Sequence, residues 1–135
     1  MFDTFPLPQS PTSAQLAEVA ERAVRLRKVR RQLMAENQMS LRELYRLADL
    51  PGQNPLKECH ADLDAAVRAA YGMKPQDDAL TFLLELNQQV HERESKNSPV
   101  TGPGLPTGVP DPKRFVTSDC VRPEGFKSLE SNSAQ

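Results

Sequence analysis

The helix boundaries written into residues 13–95 constrain this chain more than its composition does. Ser40, Pro51-Gly52, Asn54-Pro55 and Gly72 followed by Pro75 divide the stretch into four segments. Each signal has a physical cause. Proline removes an amide donor, glycine takes the left-handed conformation that closes a helix, and Ser or Asn side chains cap exposed amides. Between the boundaries, apolar residues recur at helical spacing.

Thr12 or Ser13 caps a first helix running to about Asn37. Its first half places Leu16, Val19, Ala20, Ala23 and Leu26 on one face, and its second half moves that face to Leu26, Val29 and Leu33. Ser40 caps a short second helix through Leu41, Leu44, Tyr45 and Ala48, stopped by Pro51-Gly52. Asn54 and Pro55 serve as cap and first residue of a third helix. That helix carries Leu56, Cys59, Leu63, Ala66, Val67 and Ala70 to Tyr71, and Gly72 ends it. Pro75, Gln76 and Asp77 open a fourth, containing Leu80, Leu83, Leu84, Leu86 and Val90. Its wide apolar arc predicts the most buried helix of the set.

The expected fold is therefore all-α: a small irregular bundle of about four helices. Residues 1–12 form an extended lead-in, kept open by Pro6, Pro8 and Pro11, and 13–95 form the helical domain. Residues 96–135 read as an irregular or disordered tail, mobile in isolation. There Pro99, Pro103, Pro106, Pro110 and Pro112, with Gly102, Gly104 and Gly108, speak against any regular element. One extended stretch, Phe115-Val116-Thr117, could dock on a partner surface.

A net charge of −1 excludes a globally basic nucleic-acid binder but not a local basic patch. With aromatics at 5% and no Trp, any core must be built from Leu, Ala and Val. Cys59 and Cys120 lack the spacing of a metal site or a disulfide framework. No charged-then-apolar leader opens the chain, and no apolar run approaches the ~20 residues that span a bilayer. The expectation is a reduced, cytoplasmic protein with no membrane partner.

Arg22, Arg25, Arg27, Lys28, Arg30 and Arg31 form the sharpest charge feature. On a helix, Arg22, Arg25 and Lys28 fall on the side away from the early apolar face, while Arg27, Arg30 and Arg31 wrap round the other way. Beside a nucleic acid such a ring could hold several phosphates, with strongly salt-dependent affinity. The alternative is a solvated helix balanced by its own glutamates, with the stems of Arg27 and Arg30 packed on neighbours.

Other groups read more plainly. Asn54-Pro55-Leu56 resembles the start of the Asn-Pro-Pro-aromatic motif of amino-methyltransferases, but it lacks the second proline and the ring, and it stands where a helix cap is needed. Cys59 and His60 are adjacent, so they point apart on a helix. Cys59 belongs to the core, and His60 to the surface or to a local hydrogen bond. His91 sits among Glu92, Arg93 and Glu94 as a solvated helix end. Asp62 and Asp64 face opposite ways, and Asp77 and Asp78 suit a helix N-terminus. No catalytic, cofactor-binding or metal-ligating residue is assigned.

Several separated motifs carry a resemblance. Phe2-Asp3-Thr4-Phe5-Pro6-Leu7-Pro8 resembles the segment that follows the target-recognition domain of large DNA adenine methyltransferases. The group is that of single-chain restriction–modification enzymes typified by MmeI, with related phage-defence methylases. Ser40-Leu41-Arg42-Glu43-Leu44-Tyr45, Gly52-Gln53-Asn54-Pro55-Leu56 with His60, and the run Leu63 to Gly72 are similar to its helical C-terminal domain. Leu83-Leu84-Glu85-Leu86-Asn87 matches the last helix of that domain. The tail resembles it through Val100 to Pro106 and Asp119-Cys120.

The resemblance implies a family that transfers a methyl group from S-adenosylmethionine to adenine N6 in DNA. Its cofactor and catalytic motifs lie upstream of the region this chain matches, and neither is present here. The expectation is a C-terminal accessory fragment or subunit, without a cofactor of its own. It would partner the catalytic and target-recognition part and clamp double-stranded DNA by its phosphates. Arg25, Lys28 and Arg31 are the expected contacts, followed by Arg27 and Arg30. Two alternatives stand beside it. One is a docking module that uses the first helix's apolar face, Phe2–Pro8 and Phe115–Val116. The other is a nonfunctional gene remnant.

Overall fold

The computed structural model of the chain describes residues 5–102, 104 and 109–115. It is an all-α bundle of four helices: α1 (Ser13–Asn37), α2 (Leu41–Asp49), α3 (Pro55–Tyr71) and α4 (Ala79–Ser95). Among the described residues there is no strand.

Local chemistry sets the boundaries. Thr12 Oγ1 accepts the Gln15 amide at 3.2 Å while Gln15 Oε1 accepts the Thr12 amide at 2.9 Å, a reciprocal capping box. Ser40 and Glu43 repeat the device on α2, with the Ser40 amide donating to Glu43 Oε2 at 2.8 Å. Hydrogen bonds from the Ser40 side chain, then from its backbone, lower the Glu43 pKa. Asn54 Oδ1 accepts the Leu56 amide at 2.8 Å, and Pro55 fills the first helical position. Gly72 closes α3 at φ 76°, where a side chain would be strained. Gln38 closes α1 in the same left-handed region, at φ 52°, without being a glycine.

α1 and α3 form the principal helix pair. They run antiparallel. Gln15 Nε2 at the start of α1 donates to the Ala69 carbonyl near the end of α3 at 2.8 Å, and Arg25 meets Asp62 midway along. Leu26 then packs with Cys59 and Leu56 at the far end. α2 folds onto that end with Leu44 and Ala48, closing a core of Leu26, Leu44, Ala48, Leu56 and Cys59. Val29, Leu33, Met34, Tyr45 and Leu63 surround it. Burying these side chains contributes about 25 cal/mol per Å² of apolar surface removed from water, and this holds the three helices together.

α4 departs from its expected place. It starts at Ala79, so Pro75, Gln76 and Asp77 belong to the preceding loop. Asp78 is the cap, accepting the Thr81 amide and hydroxyl at 2.9 Å each. Asp77 instead turns back to accept the Lys74 amide at 2.7 Å. The Arg68 guanidinium grips this loop, donating to the Lys74 and Asp77 carbonyls at 3.2 and 2.7 Å. Far from being the most buried helix, α4 has no buried residue. Leu80 is 69% exposed and Leu84 62%. The reason is that α1 and α3 already cover each other's apolar faces. α4 is left with a half-buried face of Phe82, Leu83, Leu86 and Val90, with Phe82 edge-to-face on Tyr71.

The lead-in is irregular from Phe5 to Pro11, with Pro6 buried. Phe115 is not in an extended stretch. It ends a short 3₁₀ helix, Pro112–Phe115, whose first position tolerates proline. Phe2, Asp3, Thr4, Val116, Thr117, Asp119 and Cys120 lie outside the described residues.

Candidate nucleic-acid interface

The basic run lies on the middle of α1, where its helical phase relative to α3 decides what each cation meets. The seam toward α3 is traced by Gln15, Val19, Arg22, Leu26, Val29 and Leu33, spaced alternately by four and three residues. Arg22 therefore points along the packed side, and Arg25 flanks it. This corrects the expectation that Arg22 and Arg25 face away from the packed side. That expectation placed the face on Leu16, Val19, Ala20, Ala23 and Leu26, whereas the contacts of Gln15 and Arg22 with α3 turn it toward Arg22.

The consequence is a three-member ion bridge. Asp62 Oδ2 accepts Arg25 Nη1 at 2.6 Å and Arg22 Nη1 at 3.3 Å. Arg22 also pairs with Glu18 one turn earlier, at 2.6 Å. Hydrogen bonding to Glu18, then the charge of Glu18, raise the Arg22 pKa above its ordinary value. Asp62 and Asp64 face opposite ways, as their spacing on a helix predicts. Asp62 joins two helices, while Asp64 is exposed. Among the described residues, no cluster of three His, Cys, Asp or Glu side chains could hold a metal ion.

Most of the remaining cations lie on the other side of α1. Lys28 and Arg31 are exposed, and Arg27 and Arg30 are half-buried. At 100° per residue these four fan across roughly 160° within about 6 Å of axial rise, with Arg27, Lys28 and Arg31 turned from α3 and Arg30 beside the seam. Charge repulsion within such a group favours an anionic neighbour. Glu21, a turn earlier, receives Arg114 of the 3₁₀ helix at 3.2 Å.

Other candidate residues have structural roles. Cys59 is buried at 2% exposure. His60 is half-buried, with Nε2 3.0 Å from Tyr45 Oη and the two rings edge-to-face at 5.6 Å. That pair pins α2 to α3. His91 is exposed on α4. Asn54, like Asp78, is a cap. Asp78 has its pKa lowered by hydrogen bonds from the Thr81 backbone and side chain.

Three features were not foreseen: the Asp62 bridge, the Arg68 grip on residues 74–77, and a Gln9–Thr101 contact described below. Only the first left a sequence signal, an acid flanking α3's apolar stripe opposite arginines flanking that of α1. No protein-family model, curated protein or solved structure matches the chain. The likeness to the MmeI-type group therefore rests on the motif residues alone. Among the described residues, no helix is long and apolar enough to cross a membrane.

Proposed function

We propose that this chain is a helical accessory module of a site-specific DNA adenine methyltransferase, steadying the DNA backbone without reading bases. The motif likeness to the MmeI-type group supports the parent family, and with it a reduced, cytoplasmic setting. In this reading S-adenosylmethionine, the catalytic chemistry and the target sequence all belong to the partner.

One observation supports the DNA-binding part of the proposal: Lys28, Arg31 and Arg27 fall on the side of α1 turned from α3, with Arg30 at its edge, and Lys28 and Arg31 are exposed. Phosphate contacts from such a group add affinity and register but no sequence preference. Arg25 is a secondary contact, because a phosphate must compete with Asp62 for it.

The test is fluorescence anisotropy of a labelled duplex, titrated at several salt concentrations. If those four residues each meet a phosphate, log affinity falls with log salt at a slope of roughly −3.6. Binding then weakens about 150-fold between 50 and 200 mM salt. Lys28→Ala should flatten the slope by roughly 0.9. No binding at low salt would remove the proposal that the module grips DNA unaided.

A second reading, a pure protein-docking module, draws on the exposure of Leu80 and Leu84 along one side of α4. Charge reversal at Arg25 and Lys28 separates the two. It abolishes DNA binding by the assembled enzyme in the first reading and leaves it unchanged in the second.

A further inference from the structure

The five-residue core joining α1, α2 and α3 contains nothing from α4, and α4 has no close helix partner comparable to the α1–α3 pair. What it has is the chain that precedes α1. Pro6 is buried, and its carbonyl accepts the Tyr71 hydroxyl at 3.0 Å. Burial raises the Tyr71 pKa, which keeps that donor protonated. The Tyr71 ring in turn meets Phe82 of α4 edge-to-face, centroids 6.4 Å apart.

Three residues further on, the Gln9 side chain imitates a strand neighbour. Its Oε1 accepts the Thr101 amide at 3.0 Å, and its Nε2 donates to the Thr101 carbonyl at 3.2 Å. Thr101 Oγ1 completes the clasp by donating to the Gln9 carbonyl at 2.9 Å. Leu86 of α4 shares an open hollow of about 310 Å³ with Gln9 and Tyr71. The lead-in thus reaches the two flanks of α4 indirectly: through Tyr71, whose ring meets Phe82, and through Thr101, six residues beyond Ser95.

We infer that residues 6–9 are a strap that holds α4 in place, so that withdrawing the strap releases α4 while the α1–α3 core stays folded. The energetics are one-sided. The Leu56-centred core does not depend on any bond the strap makes. α4, at 17 residues, is marginal as a free helix in water and frays once its attachments are lost. The strap runs directly into the cap of α1 at Thr12, so a partner gripping Phe5 to Pro8 would move α4 and its exposed leucines. The basic side of α1 would be untouched. This inference does not depend on the DNA-binding reading.

Backbone hydrogen exchange on the full chain tests it. Gln9→Ala removes both side-chain bonds to Thr101. The α4 amides from Leu83 to Val90 should exchange roughly 10- to 30-fold faster, with α1 and α3 within twofold of wild type. Tyr71→Phe keeps the ring on Phe82 and loses only the bond to Pro6, and should give a smaller rise of about three- to fivefold in the same amides. Unchanged α4 exchange in both variants would overturn the inference. So would acceleration shared equally by α1, α3 and α4, because the strap would then belong to the one cooperative fold.

Discussion

Leu56 is the side chain on which the three-helix core turns, and its truncation tests the whole packing account. It is 0% exposed and contacts the cluster of Leu26, Leu44, Ala48 and Cys59, drawn from all three helices. Leu56→Ala keeps the backbone amide that Asn54 caps, so the cap survives and the change is confined to packing. Lost transfer energy plus the cavity left behind costs about 3–5 kcal/mol at a site this enclosed. A domain of this size has a total stability of about 5–15 kcal/mol, so the variant loses a large share of it. At about 4–8 °C per kcal/mol, the melting temperature should fall by roughly 12–40 °C. Thermal and urea unfolding followed by circular dichroism at 222 nm measure both quantities. Leu84→Ala, at 62% exposure on α4, is the control and should stay within about 0.5 kcal/mol of wild type. A cost below about 1 kcal/mol for Leu56→Ala, or one no larger than that of Leu84→Ala, would refute the assignment of the core.

The two left-handed helix ends should respond with opposite signs to urea unfolding. Gly72→Ala has room for its Cβ but must hold φ 76°, costing about 1–2 kcal/mol, whereas Gln38→Gly relieves the same strain and gains up to about 1 kcal/mol. Glu43 and Asp78 have pKa values below the ordinary carboxylate range because the folded state hydrogen-bonds their charged forms. Their contribution is therefore full above that range and is lost as pH falls through the depressed values. Glu43→Gln and Asp78→Asn should each flatten the acid limb of a stability–pH curve, and an unaltered limb would contradict the capping geometry. With Cys120 replaced by Ser, Cys59 should react with a bulky maleimide only as fast as the core opens, since a thiol at 2% exposure is shielded. Rapid labelling under native conditions would place it outside the core.

What was legible in the sequence was local. The Thr12 and Ser40 caps, Asn54-Pro55 and Gly72 each act within a few residues, so their chemistry could be read without knowing the partner helix. The four helices and the all-α class followed. Failures came where the deciding contact was distant. The width of α4's apolar arc says how much surface it could bury, not whether a face remains to receive it. α1 and α3 had already taken each other. The phase of α1 against α3 could not be had from periodicity alone, because the polar Gln15 and Arg22 also join the seam, through Ala69 and Asp62. The basic residues themselves were plain from the sequence, and the pairing of Arg22 and Arg25 with Asp62 was not.

The Gln9–Thr101 clasp joins positions 92 residues apart. A polypeptide emerging from its amino end must therefore finish α1, α2 and α3 before that knot has a second half to tie. At ordinary rates of synthesis, the stretch from Tyr71 to Thr101 takes on the order of a few seconds. During that interval the nascent molecule has three helices, an untied Gln9 and an unfinished fourth segment.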